Sequence, residues 1–152
     1  MLGVERADDE HGFLNINHAQ LDGHPRIRMH GFLHGNDPKL AEIFDRCAAV
    51  LHPSADEGMA GSVAHCLRVG LYPVISRVPG VDLPDGCGRY LEDCTHEEVE
   101  VAVHDVLEMP EEDLRRQIAT LQGIAEERFS RASYAWRLRE VFGRYLARLP
   151  AR

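Results

Sequence analysis

The stretch from Ala49 to Asp82 constrains the fold of this chain more than any other part of the sequence. It reads AVLHPSADEGMAGSVAHCLRVGLYPVISRVPGVD, in which two short apolar runs flank a polar, glycine-containing segment and an amphipathic one. We predict a strand over 49–52, a loop over 53–61, a helix over 62–69 and a second strand over 73–76. Short apolar strands that alternate with helices are typical of a parallel sheet covered on both faces. In such folds, anionic ligands bind where the loop after a strand leads into a helix.

The segment before this stretch predicts two helices and a strand. A helix is expected over His11–Leu21, and alternating residues predict a strand over 27–32. Asp37 is a suitable N-cap with Pro38 at the first helical position, so a helix of about three turns is expected to follow. Its inward side chains, at helical spacing, are Leu40, Ile43, Phe44 and Cys47.

The segment after the stretch begins with a loop over 77–88, rich in glycine and proline, and a short strand over 89–91. Thr95 and Glu98 have the spacing of a capping box and predict the start of a helix. The inward residues of that helix are Val99, Ala102, Val103 and Val106.

Two further helices are predicted at the carboxyl end, one starting at Pro110 and one capped by Ser130. The apolar stripe of the last helix does not include Trp136, which is therefore either exposed or in contact with a second surface. The two stripes are Leu114, Ile118, Leu121 and Ala125, and then Tyr134, Leu138, Val141, Phe142, Tyr145 and Leu149.

Charge restricts the possible partners. The chain of 152 residues carries a net charge of −8, which argues against nucleic-acid binding because that function needs a basic surface. The charge is uneven: Glu92 to Asp113 holds ten acids and no Lys or Arg, whereas Arg115 to Arg152 holds nine arginines. We interpret both segments as solvated helix faces.

The cysteines and the apolar runs indicate in which cellular compartment the chain is expected. The four cysteines show no CxxC spacing, as expected of reduced thiols in a cytoplasmic protein. No apolar run approaches the length of a membrane span, so membrane contact is expected to be peripheral at most.

The motif Pro53-Ser54-x-x-Glu57-Gly58-Met59, followed by a helix and then Gly70-x-x-Pro73-Val74-Ile75-Ser76, resembles the donor-binding half of retaining glycosyltransferases of the GT-B fold, family-4 type. The likeness covers about residues 26–148 and includes His30-Gly31-Phe32, Phe44-Asp45-Arg46-Cys47-Ala48-Ala49 and Phe129-Ser130. It implies a Rossmann-like parallel sheet, with 1–25 as a lead-in helix and 26–152 as the nucleotide-sugar-binding domain.

The resemblance also implies the site residues. Glu57 matches the acid that contacts a hydroxyl of the donor sugar. Ser54 and Gly58 belong to the same motif and are also expected to bind the donor. His65 occupies the position of a second acid that binds the ribose, and Leu33 with His34 resembles the wall of the nucleobase pocket. The backbone amides of Met59, Ala60 and Gly61 match those that hold the sugar, and the helix start at Ser62 and Val63 matches the cradle of the diphosphate.

Three departures from the family pattern stand out. His65 replaces a carboxylate, and an imidazole cannot form the bidentate hydrogen bonds that a carboxylate forms with the ribose. One extra residue precedes Pro73, and Pro79-Gly80 replaces the usual Gly-Gly. Residues 1–25 contain no counterpart of the first strands and phosphate-neutralising basic residues of the family, and the acceptor-binding half has no counterpart in the chain.

Other chemistries fit less well. His30 and His34 lie four residues apart without an evident third metal ligand, so no metal site is expected. Serines lie near His52 and His65, but no Gly-x-Ser-x-Gly elbow is present. Adjacent acids at Asp56 and Glu57 point apart, unlike a glycosidase pair.

The resemblance therefore implies transfer of a sugar from a UDP- or GDP-sugar substrate, without a cofactor, by a chain that needs an acceptor-binding domain to be complete. The alternative is a non-catalytic relative that binds a nucleotide, a sugar or a partner without turnover. His65 and the missing basic residues favour this alternative for the chain alone.

Overall fold

The chain has an α/β fold with a three-stranded parallel sheet and five helices in its described part. By compactness it divides into two units, Met1–Asp45 and Arg46–Arg152, and each is described by itself. The residues that a computed structural model describes are 24–56, 58–78 and 80–147.

In the first unit, the described residues contain helix α1, Pro38–Phe44. Its start agrees with the prediction, because Asp37 is the N-cap and its carboxylate accepts a hydrogen bond from the Lys39 backbone N–H at 2.9 Å. Leu40 and Phe44 are buried, as their spacing predicts.

Three predictions for residues 27–47 are wrong. The helix ends after seven residues rather than three turns, and Cys47 is exposed instead of inward. A strand needs a hydrogen-bonded neighbour, and no described residue pairs with 27–32, which is irregular. The helix predicted over His11–Leu21 lies outside the described residues. The division into 1–25 and 26–152 stays a prediction.

The second unit contains the sheet. Its strands are β1, Ala49–His52, β2, Tyr72–Ser76, and β3, Arg89–Leu91, in the order β1-β2-β3 with both pairs parallel. β2 starts one residue earlier than predicted, and Pro73 lies inside it opposite Val50. The predicted parallel arrangement is confirmed.

Four helices follow or connect these strands, and all four were expected from the sequence. They are α2, Gly61–Arg68, α3, His96–Glu108, α4, Glu111–Phe129, and α5, Arg131–Leu146. α2 begins one residue before the predicted start. In α3, Val103 is 37% exposed and not inward as predicted.

Alternate side chains of β2 enter two separate cores, as the period of a strand requires. Ile75 belongs to the first core, with side chains from α2 and α4, and Val74 to the second, with side chains from β3 and α3. Helices thus pack on both faces of the sheet. The buried members are Ala60, Val63, Leu67, Ile75, Val81, Leu121 and Ala125 in the first core, and Tyr72, Val74, Leu91 and Ala102 in the second.

The apolar stripe predicted for the last helix is present but is not buried. No residue of α5 is buried, and Trp136, off the stripe, is also 61% exposed. Periodicity identifies an apolar face without identifying what covers it, and none of the described residues of α5 is buried. Leu149 lies outside the described residues. The α5 stripe is Tyr134, Leu138, Val141, Phe142 and Tyr145, between 38% and 64% exposed.

Candidate functional site at the carboxyl edge of the sheet

Three loops meet at one edge of the sheet, because the carboxyl ends of parallel strands lie on the same side. The β1 loop is residues 53–60, the β2 loop is residues 77–88 and the β3 loop is residues 92–95. This edge is where open α/β sheets bind their ligands, so the β1 loop lies in the expected place for a site.

The start of α2 has no side-chain cap. Its N-cap is Ala60, whose methyl group accepts no hydrogen bond, and the first turn contains no acid. The first ladder bond within this turn runs from the Ala64 N–H to the Ala60 carbonyl at 3.1 Å. The N–H groups of Gly61, Ser62 and Val63 belong to the set that a helix leaves outside its own ladder. Together with the helix dipole, they favour an anion at this position.

The β1 and β2 loops contact each other directly. The Ser76 hydroxyl, at the end of β2, donates a hydrogen bond of 2.6 Å to the Ser54 carbonyl. Gly80 has a φ of +64°, and a Cβ added there would lie 2.7 Å from the Gly58 carbonyl oxygen. Only glycine allows this backbone conformation at this separation without strain. The β2 loop therefore supports the backbone of the β1 loop.

Tyr90 and Arg77 fix the β2 loop to β3. The Tyr90 hydroxyl accepts a hydrogen bond from the Leu83 N–H at 2.8 Å and donates one to the Val81 carbonyl at 3.0 Å. The Arg77 guanidinium lies over the Tyr90 ring, 4.3 Å from its centroid, and binds the Glu92 carboxylate through both Nε and Nη2. The hydrogen bond from Arg77 lowers the pKa of Glu92. These contacts join loops that follow two different strands.

The Glu98 carboxylate binds backbone N–H groups of the β3 loop, which leads into α3. Thr95 Oγ1 accepts a hydrogen bond from the Glu98 N–H at 3.2 Å, as the capping box predicts. The Glu98 carboxylate accepts hydrogen bonds from the N–H groups of Glu92, Asp93 and Cys94, at 2.6, 3.0 and 2.8 Å. The bond from Glu92, followed by the other two, lowers the pKa of Glu98. An internal carboxylate thus satisfies three N–H groups of the β3 loop, and α3 begins with a side-chain cap, whereas the start of α2 has no side-chain cap.

Replacing Glu98 by glutamine tests this contact through pH. Because the pKa of Glu98 is lower in the folded state, its stabilising contribution is fully present above the ordinary value of about 4.3 and is lost as the pH falls through the folded value. We expect Glu98→Gln to lower the melting temperature at pH 7, and we expect the difference from the wild type to shrink below about pH 4. Thermal unfolding followed by circular dichroism between pH 7 and pH 3 measures both. Glu108→Gln, at an exposed position of the same helix, is the control, and a difference that stays constant with pH would contradict the contact.

The structure brings most of the predicted donor-site residues together in one loop and helix start. Ser54 is half-buried, whereas Gly58 and Met59 are exposed. The side chains of Ala60 and Val63 are buried in the first core, so these two residues offer a ligand only their backbone. The remaining residues are Gly61 and Ser62, which are exposed, and His65, which is half-buried in α2.

Three further predicted positions stay untested. Glu57 lies outside the described residues, so its role stays a prediction. Leu33 and His34 belong to the first unit, where the His34 ring contacts Phe32 edge-on with centroids 4.9 Å apart. Their part in a nucleobase wall is untested.

Sequence reasoning missed Ser76, Tyr90 and Arg77, which join the loops. Their contacts connect residues 7 to 22 positions apart, from Tyr90 with Leu83 to Ser54 with Ser76. A local pattern does not reveal such pairs. The one available signal was Gly80, whose place beside Pro79 indicated a special backbone conformation but not the contact with Gly58.

No group of three or more His, Cys, Asp or Glu side chains is arranged to hold a metal ion in the part of the chain that the structure describes. Among the same residues, no helix combines the length and apolar character that crossing a membrane requires. The expectation that no metal or cofactor is needed stays a prediction.

Comparison with known proteins adds no identification. No protein-family profile matches the chain, and no curated protein matches it significantly.

Proposed function

We propose that this chain is the nucleotide-sugar-binding part of a retaining glycosyltransferase of the GT-B type, and that the diphosphate of a UDP- or GDP-sugar binds at the start of α2. The family assignment comes from the sequence resemblance. The α/β fold with a parallel sheet is compatible with it.

One structural observation supports the proposal most strongly. The β1 loop leaves the carboxyl end of a parallel strand and enters a helix whose N-cap, Ala60, forms no side-chain hydrogen bond. Its first turn contains no acidic residue that would repel a phosphate. At the start of α3, by contrast, the N-cap side chain of Thr95 already accepts a hydrogen bond from the Glu98 N–H. A diphosphate supplies the acceptors that the start of α2 lacks.

The chemistry of glycosyl transfer fits such a site. As the bond between sugar and diphosphate breaks, the leaving nucleoside diphosphate gains negative charge. Fixed N–H donors at Gly61, Ser62 and Val63 would stabilise that charge more in the transition state than in the ground state. Glu57 would accept hydrogen bonds from sugar hydroxyls and orient the donor, since its own charge is unsuited to phosphate.

The proposal separates the role of Glu57 from that of the helix start. We expect Glu57→Ala to weaken binding of UDP-glucose or GDP-mannose by about tenfold or more, the cost of a hydrogen bond to a charged group. Binding of UDP or GDP should stay within about twofold, because these ligands lack the sugar. Isothermal titration calorimetry measures both.

Asp56→Ala is the matched control, since Asp56 is the adjacent, exposed acid. Equal losses for Glu57→Ala and Asp56→Ala, or a loss that is the same with and without the sugar, would contradict a sugar contact by Glu57.

The α5 stripe is a candidate contact surface for the acceptor-binding half that the resemblance implies. Exposed apolar surfaces of this kind mark sites of protein contact, and here five side chains of the stripe lie between 38% and 64% exposed. We propose that the acceptor-binding half of the enzyme, whether from a longer chain or a partner, covers this face.

A non-catalytic nucleotide-binding module is the second candidate. His65 lies three residues after Ser62 on the same face of α2 and replaces the ribose-binding carboxylate of the family. An imidazole retains one hydrogen bond at that position but not two. Under this alternative, UDP binds but no sugar is transferred when the acceptor-binding half is present.

A further inference from the structure

We propose that Tyr90 is a positioning residue for the donor site, because its side chain holds the β2 loop in the conformation that supports the backbone of Gly58. The identity of the ligand in this inference rests on the proposed function. The coupling between Tyr90 and Gly58 does not depend on that function and can be measured without a ligand.

Tyr90 lies on the side of the sheet where α2 begins. Its ring packs against the first core, which also contains Ala60 and Val63 from the start of α2. The Arg77 guanidinium lies over the same ring, 4.3 Å from its centroid, and forms an ion pair with Glu92. The ring therefore contacts both the apolar core and a paired guanidinium.

The Tyr90 hydroxyl satisfies two backbone groups of the β2 loop. It accepts from the Leu83 N–H and donates to the Val81 carbonyl, and both bonds are partly buried. A phenylalanine would fill the same space against the core but would leave both groups without this partner. Leaving partly buried backbone groups unsatisfied favours rearrangement of the loop that carries them.

Gly80 transmits this constraint to the β1 loop. It directly precedes Val81, whose carbonyl Tyr90 holds, and it is the residue in backbone contact with Gly58. Gly58 lies only three residues before Gly61, the first residue of α2. Movement of Val81 therefore displaces the surface on which the β1 loop rests.

The experiment uses Tyr90→Phe and Gly80→Ala in the full chain, with Tyr134→Phe as the control because Tyr134 is 64% exposed on α5. Amide hydrogen exchange is first measured without nucleotide. We expect exchange of the Ala64 amide, whose N–H forms the first ladder bond of α2, to become about five- to tenfold faster in Tyr90→Phe and in Gly80→Ala. Exchange in β2 should change less, which separates local loosening from a general loss of stability.

UDP titration of the same variants then relates positioning to binding. We expect Kd for UDP to rise by about three- to tenfold in Tyr90→Phe and to be unchanged in Tyr134→Phe. Unaltered exchange of the Ala64 amide in Tyr90→Phe would overturn the coupling. Faster exchange with an unchanged Kd would overturn the role of Tyr90 at the site. Absence of UDP binding to the wild type would overturn the proposed function, while the exchange data would still decide the coupling.

Discussion

Replacing Ile75 by alanine is expected to lower the free energy of unfolding by about 3–4 kcal/mol. Ile75 lies in the central strand, is 0% exposed and packs with side chains from α2 and α4. The substitution removes apolar contacts and leaves a cavity between the sheet and two helices, which relax only partly. Denaturation in urea, monitored by circular dichroism, measures the change.

Leu107→Ala provides the control for that substitution. Leu107 has the same number of carbon atoms as Ile75 but is 76% exposed on α3. Its truncation is expected to change the free energy of unfolding by less than about 0.5 kcal/mol. Similar effects of the two substitutions would show that the first core is not arranged around β2.

Introducing an acid at the start of α2 is expected to abolish nucleotide binding without destabilising the fold. Ser62 is exposed in the first turn of α2, a position where a carboxylate interacts favourably with the helix dipole. Ser62→Glu should therefore keep or raise stability, by about 0.3–1 kcal/mol. The same carboxylate would repel a diphosphate and compete for its N–H donors, so the affinity for UDP should fall by at least about tenfold.

Ser133→Glu is the matched control for this substitution. It places the same residue in the first turn of α5, three positions after its N-cap Ser130, where it completes a capping box. UDP affinity should be unchanged in this variant. A loss of affinity in both variants would indicate a general effect of added negative charge, and a loss in neither would exclude the start of α2 as the phosphate site.

The parallel sheet was predictable because its signals are local. β1 and β2 are short apolar runs, with Pro53 after the first and Gly70 before the second, and such runs leave few alternatives to a buried strand. The start of α3 was equally clear, since Thr95 and Glu98 carry a capping-box spacing that the hydrogen bond between them confirms.

The errors concern features that depend on distant neighbours. The alternation over 27–32 resembles a strand, but a strand requires a partner that no described residue provides. The α5 stripe has a regular period, yet its burial depends on a surface other than the helix itself. The capping-box spacing predicted the start of α3 but not the bonds of the Glu98 carboxylate to three N–H groups of residues 92–94, which depend on the backbone path of the β3 loop.

The candidate site was predictable only in the part whose signals are local in the sequence. The position of the β1 loop before α2 follows from the order of elements, and the roles of Ser62 and Val63 as backbone donors agree with an uncapped helix start. The support of that loop by Ser76 and Gly80 required coordinates, because it joins segments that are separated in sequence by more than 20 residues.

An NMR titration of the 15N-labelled chain with UDP tests the central claim most directly. If the diphosphate binds at the start of α2, the amide signals of Gly61, Ser62 and Val63 should show the largest shifts and saturate at micromolar to millimolar UDP. Smaller shifts are expected in the β2 loop, which contacts the β1 loop. No shifts up to about 10 mM UDP, a concentration that reveals even weak sites, would contradict the claim. Shifts confined to α3 or α5 would contradict it equally.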